Sequence, residues 1–358
     1  MFVSIPLGLS YDDVLLVPQL TPLRSRAQAD TTGWITQNLK LPAPFLSANM
    51  DTVTGFKMAT ALARLGGIGV IHQFQSAENE AAEVARVKSA KPGSLLVAAA
   101  VGISNGLIDR VQAVISAGAD LIVIDAAHGH SPFVAAAVTT IKKRFPKIPI
   151  LAGNIATAAG AEFLIAAGAD AVKVGVGPGS ACTTRIIAGA GVPQLTAIQS
   201  AAAAIAKFRG RKIGLVADGG VKQPGDAVKA LAAGASAIMG GNIFAGCDET
   251  PGEIVIRNGQ KYKHFRGSST MGAANHRLKL GGSNGKNIAD QWSRVEGVEA
   301  LIPCRGGVEK VIERYLGGLR SGLSYCGAKN LRELQANARF IRVTPAGWKE
   351  SLPHDVII

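Results

Sequence analysis

Short apolar, β-branched runs alternate with Ala-rich stretches along the first two-thirds of the chain. The runs fall at residues 44–50, 67–72, 95–101, 120–127, 149–155, 171–177, 213–220 and 237–244. Each is close to continuously apolar, as a strand covered on both faces should be. Their alternation with helical stretches predicts parallel βαβ units. A weak internal repeat supports this count: Ser116-Ala-Gly-Ala-Asp120, Ala166-Ala-Gly-Ala-Asp170 and Ala232-Ala-Gly-Ala-Ser236 each close a helical stretch and lead into a strand. Glycine there takes the left-handed conformation that ends a helix. Eight such units predict an α/β fold, a (β/α)8 TIM barrel. A doubly wound open sheet is the alternative, but it usually carries GxGxxG after its first strand, and none stands there.

The rhythm breaks at about 246–300, which is polar and Gly/Asn-rich around Gly281-Gly-Ser-Asn-Gly285, with a hairpin pattern at 253–263. An insertion this long after an eighth strand reads as a lid over substrate. No separate regulatory domain interrupts the barrel, so residues 1–358 are expected to form one catalytic domain.

Composition narrows the class. With 47% apolar and 18% charged residues, the chain is not disordered. No run approaches the roughly 18 apolar residues of a membrane span, and no basic segment leads an apolar one at the start. The four cysteines show no CxxC spacing, which indicates neither a disulfide framework nor a zinc site, and a cytoplasmic location is expected. A net charge of +13 favours anionic ligands. The basic residues are scattered apart from short clusters at 142–144 and 207–212, so nucleic-acid binding beyond weak electrostatics is not expected.

The sixth run ends in Gly175-Val-Gly-Pro-Gly-Ser-Ala-Cys-Thr-Thr-Arg185. Such glycines let backbone amides and carbonyls face a ligand or ion, and the loop falls where barrel active sites lie. Cys182 is a candidate nucleophile if Arg185 and nearby amides favour its thiolate, with Thr184 as proton relay. The alternative is a structural glycine turn with an inert thiol. The seventh run ends in Ala217-Asp-Gly-Gly220 and the eighth in Met239-Gly-Gly-Asn242, the usual barrel phosphate position. Asp218 suits a ribose diol, which together with a phosphate indicates a nucleoside monophosphate. Alternatively, Asp218 merely caps the helix that follows.

Taken with Leu9-Ser-Tyr-Asp-Asp-Val-Leu-Leu, Asn49-Met-Asp-Thr-Val53, Gly153-Asn154 and Gly317-Gly-Leu-Arg-Ser321, these strings resemble the IMP dehydrogenase/GMP reductase family, in order and over nearly the whole chain. The resemblance implies that Cys182 forms a thioimidate at purine C2, with Thr184 and Glu296 moving protons. It implies nucleotide contacts from Asp218, Gly219, Gly220, Gly241, Asn242, Gly267, Ser268, Ser269 and Gly297. Cofactor contacts would come from Ser25, Arg26, Asp125, Ala126, Ala127, Asn154, Val176, Gly177 and Ser321. Carbonyls of Gly177, Gly179, Cys182 and Arg185 would hold a monovalent cation, potassium by analogy, and the assembly would be a homotetramer.

The family's two branches run opposite net reactions: IMP to XMP with NAD, or GMP to IMP and ammonia with NADPH. The dehydrogenase branch, the resemblance implies, uses an Arg-Tyr pair on its lid to activate water. Between Ala274 and Glu296 this chain has no such pair; His276, Arg277, Trp292 and Arg294 are what it offers. A positioned base contributes about 10²–10⁴-fold, so water attack is expected to be slow. Ser25-Arg26, with an arginine to meet a 2′-phosphate, Asn49, Phe265, Ser268-Ser269 and the absent insert are reductase-like. Ala127-His-Gly-His-Ser131, Ser351-Leu-Pro-His-Asp-Val356, the long lid and Gln73 in place of the reductase lysine are not, and Asn242 matches neither branch. The expectation is GMP reductase with NADPH; the alternative is IMP dehydrogenase with NAD.

Two other classes are weighed. An FMN barrel oxidoreductase would use the same glycines and be yellow. A non-catalytic nucleotide sensor, or a nucleic-acid binder exploiting the +13 charge, would have no need of Cys182, Thr184 and Glu296. His72 reads as a core histidine, His128 and His130 as loop residues or cofactor contacts, and Cys247, Cys304 and Cys326 as inert thiols. The stretch 340–343 is expected to pack on the barrel or on a neighbouring subunit.

Overall fold

In a computed structural model, residues 5–91, 93–273 and 295–353 are described. All eight predicted runs form strands, and they close into one parallel barrel. They are β1 Phe45–Ser47, β2 Ile68–Ile71, β3 Val97–Val101, β4 Leu121–Asp125, β5 Ile150–Ile155, β6 Ala171–Val174, β7 Gly214–Asp218 and β8 Ala237–Gly240. β8 pairs back onto β1 through Ile238↔Phe45 and Met239↔Leu46. The helices that follow are α1 Phe56–Arg64, α2 Ala77–Ser89, α3 Leu107–Ser116, α4 Pro132–Arg144, α5 Ala158–Ala166, α6 Gln194–Ile205, α7 Pro224–Ala232 and α8 Val308–Tyr325.

Strand alternation divides the core in two. Leu46, Ile68, Val70, Ala98, Ala100, Leu121, Val123, Leu151, Val216 and Met239 form a cluster with Ile35, Leu39 and Leu41, which come from the short strands Gly33–Trp34 and Lys40–Leu41 and the turn between them. The intervening strand residues, such as Val97, Ala99, Ile122 and Val172, join the larger cluster that also includes the helices. Both faces are therefore dry, and this is why the runs read as continuously apolar.

The internal repeat has a physical basis. Gly118, Gly168 and Gly234 all take positive φ (101°, 109° and 119°), and the residue two positions on then reaches sideways to the preceding strand. Asp120 Oδ2 accepts from the Val97 amide (2.9 Å), Asp170 Oδ2 from Ile150 (2.8 Å) and Ser236 Oγ from Leu215 (3.0 Å). The motif thus stitches β3 to β4, β5 to β6 and β7 to β8.

Beyond β8, the predicted hairpin forms from Ile254–Arg257 and Gln260–Arg266, with Asn258 and Gly259 both at positive φ in a tight turn suited to that pair. A third strand, Glu299–Pro303, completes the sheet. The glycine-rich stretch at 281–285 and the candidates His276, Arg277, Trp292 and Arg294 lie outside the described residues, as does His354-Asp355-Val356. Phe340–Arg342 pairs antiparallel with Val14–Leu16, so both ends of the described chain meet at one edge. Among the described residues, no helix is long and apolar enough to cross a membrane.

Candidate active site

Cys182 follows β6 and is fixed by backbone rather than by burial. Its amide donates to Gly179 O (3.0 Å). On its other side it pairs with Gly297, while Thr183 N–H donates to Glu296 O and Val298 N–H to Ala181 O, both at 2.9 Å. Glu296 N–H in turn donates to Ser269 O (3.0 Å). The segments at Ser269 and at 296–298 therefore clasp the cysteine loop. The Cys182 thiol donates to Thr184 Oγ1 at 3.2 Å, and the Thr184 hydroxyl donates to Glu296 Oε2 at 2.6 Å. This forms a continuous path for a proton from sulfur to carboxylate.

Arg185 braces the loop: Nε donates to Val176 O (3.1 Å) and Nη2 to Val192 O (2.6 Å). Burial lowers its pKa, and the nearby Cys182 partly opposes that shift.

Four neighbouring strands build the opposite wall. Lys173 in β6 is buried, with its Nζ 3.0 Å from Asp125 Oδ1 in β4 and 2.9 Å from Asp218 Oδ2 in β7, and it also donates to Asn154 Oδ1 in β5. Asn154 Nδ2 donates to Asp218 Oδ2 and Gly175 O, both at 2.8 Å, and Asn49 Nδ2 donates to Asp125 Oδ2 at 2.9 Å. Burial works to raise the Asp125 carboxyl, but Lys173 and Asn49 outweigh it and hold it below the ordinary range. Burial likewise works to lower the Lys173 ammonium, and the two carboxylates push it above its ordinary value. Gly219 and Gly220 turn with φ of 86° and 80° right after Asp218. Asn242 donates from Nδ2 to Ser180 Oγ (3.0 Å), and its Oδ1 accepts from Arg305 Nη2 (3.0 Å).

These pieces line one cavity of about 540 Å³ at the C-terminal mouth of the barrel, within the usual range for small-molecule sites. It gathers Cys182, Thr184, Glu296, Asp218, Gly219, Gly220, Gly241, Asn242, Gly267, Ser268 and Ser269, and with them Asp125, Ala126, Ala127, Asn154, Val176, Gly177 and Gly179. Gly297 backs the cysteine without lining the cavity, and Arg185 sits behind the loop. Ser25, Arg26 and Ser321 form a separate cluster, with Arg26 Nη1 donating to Ser321 Oγ at 2.8 Å, and none of the three lines the cavity. Asn154 has both Nδ2 hydrogens engaged, one on Gly175 O and one on Asp218 Oδ2, and still lines the cavity.

Sequence reasoning missed Lys173 and the Ser180 side chain. The signal for Lys173 was present, since it is the single charged residue in the run 171–177. His72 is a core residue whose Nδ1 accepts from the Phe74 amide at 3.2 Å.

A thiol with its own proton path, set in the mouth of a parallel barrel over a cavity of nucleotide size, marks an enzyme rather than a binding module. The chain belongs to the IMP dehydrogenase / GMP reductase family, whose domain model matches residues 8–354. These are oxidoreductases that act on purine nucleotides with a nicotinamide cofactor. The chain is 37% identical to an inosine-5′-monophosphate dehydrogenase from Nitrosopumilus maritimus, with 98% of this chain and 99% of the relative covered. It is also 37% identical to one from Borreliella burgdorferi, covering 98% and 97%. Among solved structures it is similar to a GMP reductase from Trypanosoma brucei in complex with guanosine 5′-monophosphate, at 32% identity and a TM-score of 0.91 over 99% of both chains.

Proposed function

We propose that this protein is a GMP reductase, converting GMP to IMP and ammonia through a covalent Cys182 adduct. The observation that carries the direction is in the sequence: residues 274–296 contain no tyrosine, and hence no Arg-Tyr pair to activate water. The relay from Cys182 through Thr184 to Glu296 serves a departing amine directly. As Cys182 loses its proton along this path, its sulfur adds to C2 of the purine. Glu296 then returns the proton through Thr184 to the 2-amino group, which leaves as ammonia and gives a thioimidate. When bound, the nicotinamide supplies a hydride to C2. Loss of the thiolate from C2 then yields IMP. Dividing one difficult substitution into two steps is the usual gain of covalent catalysis.

Asp218 Oδ1, free of the bonds that hold Oδ2, would accept from the ribose hydroxyls, and the glycine turns at 219–220 and 241 would take the phosphate. Ala126, Ala127 and Gly177, which line the cavity along with Asp125 and Cys182, would admit a flat nicotinamide ring. Arg26, apart from the cavity, would meet the 2′-phosphate of NADPH bound to a neighbouring copy, in keeping with a homotetramer. The carbonyls of Gly177, Gly179, Cys182 and Arg185 fit a monovalent cation such as potassium, since they are neutral hard donors. Four such donors leave the shell to be completed by water or another chain.

The second reading is IMP dehydrogenase, favoured by the 37% identity to proteins of that name. The absent insert does not separate the two: the Nitrosopumilus alignment runs over 474 positions and the Borreliella one over only 396, so the relatives named dehydrogenase vary in what they add. An activity matrix of GMP or IMP, each with the phosphorylated and unphosphorylated nicotinamide pair, decides. Loss of reduced-nicotinamide absorbance with GMP and NADPH is expected, and turnover of IMP with NAD alone would overturn the direction. Cys182→Ala should abolish activity in either case.

A further inference from the structure

We propose that Lys173 is a positioning residue through which the ribose side and the nicotinamide side of the cavity are coupled. An ammonium has three donors, and in Lys173 all three are taken, by Asp125 Oδ1, Asn154 Oδ1 and Asp218 Oδ2. None is left for a ligand, so Lys173 acts on ligands only through its partners. Asp125 and Asp218 come from β4 and β7, with two strands between them, and the Lys173 ammonium bonds directly to both.

The fold makes room for this arrangement. A Cβ on Gly153 would stand 2.5 Å from the Lys173 carbonyl oxygen and 2.7 Å from the Lys173 Cβ, so only glycine lets β5 pass so close to the lysine. One buried cation thus serves two carboxylates that face the cavity, and what one acid withdraws from it the other feels. When ribose hydroxyls engage Asp218, its hold on Lys173 weakens and Asp125 gains the ammonium more fully. Anything that engages Asp125 returns the effect to Asp218, because coupling of this kind is reciprocal.

The inference rests on reading the cavity as a purine nucleotide site and not on the direction of the reaction. The titrations therefore use whichever of GMP or IMP the protein turns over. If IMP is that nucleotide, the reductase reading falls while this one stands. Nucleotide dissociation constants are measured by calorimetry on the full chain, folding being checked by circular dichroism, for wild type, Lys173→Met, Asp125→Asn and the double variant. Lys173→Met should weaken binding about 10-fold, because it removes the partner that holds Asp218 in place, a loss larger than any gain in the acceptor strength of a misplaced carboxylate.

Asp125→Asn gives the sharper reading, because the two accounts differ in sign. Removing a negative charge near an anionic ligand would by itself tighten binding. Freeing Lys173 to pair with Asp218 alone should instead make Asp218 a poorer acceptor and weaken binding about threefold. In the Lys173→Met background that effect should vanish. Tighter or unchanged binding by Asp125→Asn alone overturns the proposal, even should Lys173→Met fail to fold. So does an Asp125→Asn effect that persists undiminished without the lysine.

Discussion

Thr184 stands between a donor and an acceptor that pull in one direction. It accepts from the Cys182 thiol at 3.2 Å, a length set by the larger sulfur atom, and donates to Glu296 Oε2 at 2.6 Å. Valine at this position keeps the shape and removes both bonds. Thr184→Val should therefore lower kcat about 10²-fold, the span a positioned proton carrier commonly supplies, with KM for the nucleotide little changed. Steady-state kinetics that place kcat within a factor of about three of wild type would remove Thr184 from the proton path. Cys182 and Thr184 were legible in the sequence because they share one glycine loop. Glu296 lies 112 positions from Thr184 and was reachable only through the family resemblance. Lys173 was overlooked because its meaning depends on two carboxylates from other strands, and no local spacing records that meeting.

The strands were the most legible elements, and where they stop explains the site. The pattern extended the sixth run to Gly177 and the eighth to residue 244, but the strands end at Val174 and Gly240. Beyond those points the apolar residues continue while the backbone departs: Gly175 and Gly177 take φ of 153° and 82°, and residues 242–246 fold into turns. An apolar run marks burial rather than strand pairing, so periodicity overshoots at the functional rim. The strand Glu299–Pro303 escaped notice because it is mostly exposed and pairs with the hairpin rather than with the barrel. That hairpin is held to the barrel by Arg266, whose guanidinium pairs with Asp51 and whose amide donates to Thr52 Oγ1 at 3.2 Å. The bond to Asp51 raises the Arg266 pKa against the effect of burial. Gly267, Ser268 and Ser269 follow immediately, so the pair sets where they sit over the cavity. Asp51→Asn should raise nucleotide KM about tenfold, through loss of roughly 1.4 kcal/mol of placement, while kcat falls less. An unchanged KM would mean that the hairpin is placed by its sheet alone.

At the scale of the whole molecule, the charge of +13 and one buried acid pull stability in opposite directions with pH. Self-repulsion among the excess basic groups is greatest in acid and eases as carboxylates ionise, so it favours higher pH. Glu80 does the reverse. It lies on α2 with no exposure, Oε2 paired with Arg110 of α3 and Oε1 without a hydrogen-bond partner. Burial, only partly offset by Arg110, pushes its pKa up from 4.5 to about 8. Between those values the folded protein holds a proton that the unfolded chain has released, so this group's contribution falls as pH rises from about 4.5 to 8 and is level outside that window. Glutamine keeps an oxygen for Arg110 and does not titrate. Near pH 4, below the unfolded value, the Glu80→Gln variant and wild type should melt close together, this position being largely neutral in both the folded and the unfolded chain. By pH 8 the variant should melt several degrees higher, since each unit of pKa difference is worth ~1.4 kcal/mol and a kcal/mol on the order of 2 °C at this chain length. The general charge term is the same in both proteins below pH 5 and nearly so above, so subtracting the two melting curves isolates Glu80. A difference in Tm that stays constant from pH 5 to 8 would show that Glu80 remains ionised beside Arg110 throughout.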